Sequence, residues 1–173
     1  MFSKILQKKK GFTLVEMIIY VAIAAIILLV IFNMVLVIAR SNKEFRASRN
    51  IQNAAITSIE RMTRDIQDAA SVSTAQSTLG SHPGSLYMSV ENSAGSTYTI
   101  EYVLTNGRIH VLQDGTDIGP ITPSNVEVSN LVFYVGSTGL GQMVRFEVTI
   151  DTSLGTVSKS ENFYMTTVVR GSY

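Results

Sequence analysis

The chain has 173 residues, a formal net charge of +1 at pH 7, 46% hydrophobic side chains and no cysteine. Without cysteine there can be no disulfide staple, no thiolate metal site and no cysteine nucleophile, so an exported domain would have to be held by its own core. The length allows one compact domain and one long additional element.

The charge is unevenly spread. Residues 1–11 carry Lys4, Lys8, Lys9 and Lys10 and no acid. From residue 71 onward, four basic groups (Arg108, Arg145, Lys159, Arg170) face eight acidic ones (Glu91, Glu101, Asp114, Asp117, Glu127, Glu147, Asp151, Glu161). Nucleic-acid affinity comes mostly from Lys and Arg neutralising phosphates, so this surplus of acids argues against nucleic acid as a partner of that region.

Between Glu16 and Arg40 there is no charged side chain, and Asn33 is the one strongly polar interruption. A bilayer core is crossed by about 20 apolar helical residues, and this run exceeds that. It is apolar on every side, so it expects lipid or other helices all round. A secretory signal places its cleavage site after the apolar region. Here the order is reversed: the lysines end at Lys10, Gly11 follows, and the apolar run lies downstream. A cut after Gly11 would remove the charged leader and keep the helix.

The segment Lys8-Lys9-Lys10-Gly11-Phe12-Thr13-Leu14-Val15-Glu16, with the apolar run behind it, resembles the prepilin processing motif of type IV pilins and type II secretion pseudopilins. The resemblance covers residues 8–40. It implies cleavage between Gly11 and Phe12 by a membrane prepilin peptidase, followed by N-methylation of Phe12. It also implies a single-pass precursor in the bacterial inner membrane with its C-terminal part outside the cytoplasm, then a cell-surface or periplasmic filament built with other pilin or pseudopilin subunits. A carboxylate inside a membrane helix costs about 3 kcal/mol or more and normally has a partner. The plainer reading lets Glu16 snorkel to a nearby interface. In the functional reading it pairs with the Phe12 ammonium of a neighbouring subunit and sets the stagger between helices. Two departures from the family pattern point to a minor subunit: the run from Phe12 to Arg40 has no kinking proline, and a C-terminal disulfide loop is impossible.

Beyond Arg40 the pattern turns amphipathic. Ile51, Ala55, Ile59, Met62, Ile66 and Ala69 recur at helical spacing, while Glu60–Arg64, Arg61–Asp65 and Arg64–Asp68 are i,i+4 charge pairs on the opposite face. A helix from residue 12 to 70 would span about 90 Å, too long for a domain of this size. Its first half (12–39) is expected to cross the membrane and its second to cover the C-terminal domain. Arg40, Lys43, Arg46 and Arg49 form a basic collar that suits lipid headgroups better than DNA. The run Glu60–Ala69 and the segment Val126–Phe133 resemble larger minor pilins and J-type minor pseudopilins.

Ser, Thr and Gly dominate residues 71–85, which read as a linker before an all-β region. Strands are predicted at Leu86–Glu91, Thr97–Thr105, Arg108–Gln113, Glu127–Val135, Met143–Asp151 and Val157–Val169. Asn106-Gly107 signals a hairpin, and Val144, Phe146, Val148 and Ile150 alternate with polar residues as in a half-buried strand. The predicted fold class is therefore α+β, a long N-terminal helix on an antiparallel sheet, with boundaries at 1–11 (leader), 12–70 (helix) and 71–173 (β domain).

Little chemistry is written in the rest. His82 and His110 lack the spacing of paired metal ligands. Asp114 and Asp117, in Asp114-Gly115-Thr116-Asp117, are weak calcium candidates without the ligand series of an EF-hand, and the simpler reading is a turn. Tyr98, Tyr102, Phe133, Tyr134, Phe163 and Tyr164 read as sheet core and sheet surface. No phosphate loop, nucleophile elbow or catalytic carboxylate pair is present, so no cofactor and no enzymatic activity are expected. A structural subunit of a pilus or pseudopilus is the first reading. A tip adhesin or DNA-uptake pilin is the second, and a membrane-anchored exported enzyme the third.

Overall fold

The computed structural model describes residues 11–92, 95–138 and 141–170; the expected leader, apart from Gly11, lies outside them. The chain divides into two compact units, Met1–Asn42 and Lys43–Tyr173. One helix, α1 (Leu14–Asp68), contributes to both. Eight strands follow: β1 (Ala69–Val72), β2 (Leu86–Glu91), β3 (Thr97–Thr105), β4 (Arg108–Gln113), β5 (Thr116–Pro120), β6 (Glu127–Thr138), β7 (Gly141–Leu154) and β8 (Val157–Val168).

In the first unit α1 is an apolar run with no Pro or Gly to interrupt it, and the helix satisfies its backbone N–H and C=O groups internally. It is long and apolar enough to cross a membrane, and its most apolar window is wholly unburied within the chain. Asn33 fits this setting because its side-chain amide donates to the Leu29 carbonyl one turn back, at 2.9 Å.

In the second unit the predicted stripe faces a core. Ala47, Ile51, Ala54, Ala55, Ser58, Met62 and Ile66 are buried on α1, and Ile59 packs at the margin. Of these, Ile51, Ala54, Ala55, Met62 and Ile66 share one hydrophobic cluster with Leu86, Met88, Tyr102, Ile109 and Val111 of one sheet and Leu131, Phe133, Val144, Phe146, Val148 and Ile150 of another. The strands form two antiparallel sheets instead of the single one expected, β1-β2-β3-β4-β5 and β6-β7-β8.

Three differences from the sequence reading have physical causes. Residues 69 and 70, expected at the helix end, begin β1, where Ala69 is buried opposite Val90. The predicted linker starts inside that strand, and its later part is tied to β6: Gly80 N–H donates to the Phe133 carbonyl and Gly84 N–H to the Leu131 carbonyl, each at 2.8 Å. A Cβ on Gly84 would stand 3.0 Å from the Leu131 carbonyl, so the missing side chain permits this approach. The segment at residues 114–117 holds a turn, as read, but leads into the unpredicted strand β5. Asp114 and Gly115 take positive φ, and Pro120 ends β5 at the sheet edge, where a missing N–H is tolerated.

The Asn106-Gly107 hairpin forms as expected, with φ of 51° and 68°. Gly107 also admits β6: its carbonyl accepts the Val128 N–H at 2.7 Å, and a Cβ would meet Glu127 Cγ at 2.8 Å.

A buried polar contact helps seat α1. The Tyr102 hydroxyl donates to Asp65, whose other neighbour is Arg61 at 3.8 Å. Burial, reinforced by the adjacent carboxylate, pushes the Tyr102 phenol well above its ordinary range, so it remains a donor. Tyr102→Phe is expected to keep the fold and lower stability by about 1 kcal/mol, the usual net value of one hydrogen bond. A thermal melt showing no change would mean that Arg61 alone satisfies Asp65.

Candidate functional site

The sequence points first to Gly11, Phe12 and Glu16. Gly11 and Phe12 are exposed and precede the helix, and among the described residues nothing lies within 4 Å of where a Gly11 Cβ would stand. The bond between them therefore lies outside α1. Thr13 starts the helix: its carbonyl accepts the Met17 N–H at 3.2 Å and its Oγ1 accepts the Glu16 N–H at 3.3 Å. This is an N-cap, which satisfies donors that the first helical turn leaves unpaired.

Thr13-Leu14-Val15-Glu16 has capping-box spacing, in which the glutamate side chain reaches back to the cap. Glu16 instead looks forward. Its Oε1 accepts the Tyr20 hydroxyl at 3.1 Å. The Tyr20 ring meets Phe12 edge-on, with centroids 6.1 Å apart and planes at 77°. Phe12, Glu16 and Tyr20 thus form a small polar and aromatic cluster at the head of the apolar helix. Glu16 is the one residue between 11 and 40 that is partly buried, the others being exposed.

Sequence reasoning missed Thr13 and Tyr20. The signals were present: a Ser/Thr-x-x-Glu cap, and a hydroxyl one turn beyond the only acid of an apolar run.

The weaker candidates do not converge. Asp114 Oδ1 accepts the Thr99 N–H at 2.8 Å, whereas Asp117 bonds His110 Nδ1 and the Gly119 N–H, each at 2.8 Å. The Gly119 N–H and then His110 hold the Asp117 carboxyl below its usual range. Both aspartates therefore serve the β4–β5 hairpin, and the described residues contain no group of three or more His, Cys, Asp or Glu able to hold a metal ion. His82 Nδ1 accepts the Leu131 N–H at 3.1 Å. Among the aromatics, Tyr102 and Phe133 are core, Tyr98 and Phe163 pack against it, and Tyr134 and Tyr164 are exposed on the second sheet.

An open groove of about 900 Å³ runs past Asn106, Arg108, Glu127, Asp151 and Lys159. Its cations have work within the fold. Arg108 Nε donates to the Thr122 carbonyl at 3.0 Å, and Lys159 reaches Ser48 Oγ at 2.9 Å and Glu161 at 3.1 Å.

Residues 6–32 match the family model described as the prokaryotic N-terminal methylation motif. The chain carries the N-terminal motif of type IV pilins and pseudopilins. The match spans Gly11, Phe12, Glu16 and Tyr20, the same stretch in which the polar cluster sits at the head of an apolar helix. It supports a type IV pilin-like or pseudopilin protein processed by prepilin peptidase. The long N-terminal helix followed by antiparallel sheets is the α+β architecture expected with this pilin-like start. No curated protein and no solved structure matches the chain.

Proposed function

We propose that the chain is a minor structural subunit of a type IV pilus or type II secretion pseudopilus. Prepilin peptidase cuts it between Gly11 and Phe12, Phe12 is N-methylated, and the protein assembles through its N-terminal helix. Before assembly it is a single-pass precursor in the inner membrane with residues 43–173 outside the cytoplasm. Its partners are the peptidase and the apolar helices of other subunits.

One observation carries the reading: the methylation motif, residues 6–32, runs into an unburied apolar stretch of α1 whose single acid before Arg40, Glu16, lies four residues after Phe12. The helix serves two solvents in turn, lipid before assembly and neighbouring helices after it. Both accept an all-round apolar surface. In the filament the Phe12 ammonium of one subunit meets Glu16 of the next. The amine exists only after cleavage, so processing is coupled to assembly. The missing proline gives the helix less cause to kink, and this supports a minor position. The acidic surplus beyond residue 70 gives no support to DNA capture.

The test is the mass of the N-terminal peptide from native membranes, with and without the peptidase. A start at Phe12 carrying one extra methyl group is expected when the enzyme is present. A start at Met1 in both samples would mean an ordinary anchor and end the filament reading.

A further inference from the structure

We propose that Tyr20 is a positioning residue for assembly: its hydroxyl takes one oxygen of the Glu16 carboxylate and turns the other toward the incoming amine of a neighbouring subunit. This rests on the reading of Glu16 as the assembly residue. The distances are those of a built arrangement. Tyr20 Oη donates to Glu16 Oε1 at 3.1 Å, and the same ring lies edge-on to Phe12 at 6.1 Å.

The chemistry needs such a residue. A glutamate three residues into a helix can swing back to cap the first turn, and Thr13 with Glu16 has that spacing. A capped Glu16 would be turned toward its own helix and away from a partner. A hydroxyl one turn further along competes for it, because residues four apart are neighbours on a helix surface. In lipid the competition is sharper, since the hydroxyl also loses by finding no acceptor. A carboxylate has about four acceptor positions, so one bond from Tyr20 leaves room for an ammonium. The hydrogen bond removes rotamers that Glu16 would otherwise lose on pairing, and the Phe12 ring keeps the tyrosine from swinging away. Positioning of this kind narrows the axial stagger between adjacent helices as well as raising the yield.

The experiment uses the full chain in its native membrane with Tyr20→Phe, Tyr20→Leu and Glu16→Ala. N-terminal peptide mass reports cleavage and methylation, and abundance in sheared filaments reports assembly. Single cysteines at positions 23–31 report stagger by disulfide cross-linking between subunits, against a background free of native cysteine. Tyr20→Phe keeps the ring and removes only the hydroxyl. It is expected to be cleaved and methylated normally, to enter filaments about fivefold less than the parent chain, and to spread its cross-links over neighbouring positions. If Tyr20→Phe assembles with the parent yield and cross-link pattern while Tyr20→Leu fails, the ring acts by packing and the proposal is overturned. If Glu16→Ala itself assembles normally, the underlying reading of Glu16 falls, and that result is distinct from a failure of Tyr20 alone.

Discussion

Glu16→Ala is expected to insert into the membrane and to be cut after Gly11, yet to be nearly absent from filaments. In the proposed filament the Phe12 ammonium of a neighbouring subunit is buried among apolar helices and has Glu16 as its counter-charge. Deleting one member of a buried pair costs about 3–5 kcal/mol, more than the pair contributes, because the other charge is left uncompensated. A loss of 3 kcal/mol in subunit pairing corresponds to roughly a hundredfold. Abundance in sheared filaments measures it, and the peptide mass of the same sample separates an assembly defect from a processing defect. The structure adds that alanine also strands the Tyr20 hydroxyl. Filaments containing the variant at the parent level would show that the apolar helices alone set the subunit contact.

Phe146→Ala is expected to cause the largest loss of fold stability, about 3–5 kcal/mol, with residues 43–173 prepared as a fragment. Phe146 is fully buried on β7, its ring is 6.2 Å from that of Phe133 on β6, and both belong to the cluster that includes the buried stripe of α1. A domain of ordinary stability has 5–15 kcal/mol in all, so the change removes a large part of it. Urea unfolding should show a lower midpoint with an unchanged slope. A loss under about 1 kcal/mol would mean that α1 and the second sheet collapse into the vacated space. Outward-facing neighbours on the same strand, such as Arg145, give a control: Arg145 rests 5.6 Å from the Tyr134 ring centre and pairs with Glu147 at 2.5 Å, in water. Surface contacts of this kind contribute little.

Much was legible without coordinates because it depends on local rules. An apolar run longer than a bilayer needs must be helical wherever it meets lipid, whatever the rest of the chain does. The stripe Ile51, Ala55, Met62 and Ile66 follows from helical periodicity, and Asn106-Gly107 from the positive φ its turn demands. Six strands stood out by composition and alternation. The processing motif was readable for a related reason: its glycine, aromatic and glutamate lie within a few residues of one another.

Only tertiary structure decided the rest. Ala69 and Ala70 carry helical propensity, yet pairing with β2 draws them into a strand, since backbone partners outweigh a few tenths of a kcal/mol of preference. β5 has Gly119 and Pro120 in five residues and reads as loop until β4 supplies its hydrogen bonds. The division into two sheets depends on which strands find each other across long separations, and no alternation along one strand encodes that. Glu16 shows the same division of labour at the site. Its presence in an apolar run was plain from the sequence, but whether its carboxylate turns back to the helix cap or forward to Tyr20 is a choice between two rotamers. That choice is settled by which donor lies within reach, and only a folded helix has donors at fixed positions.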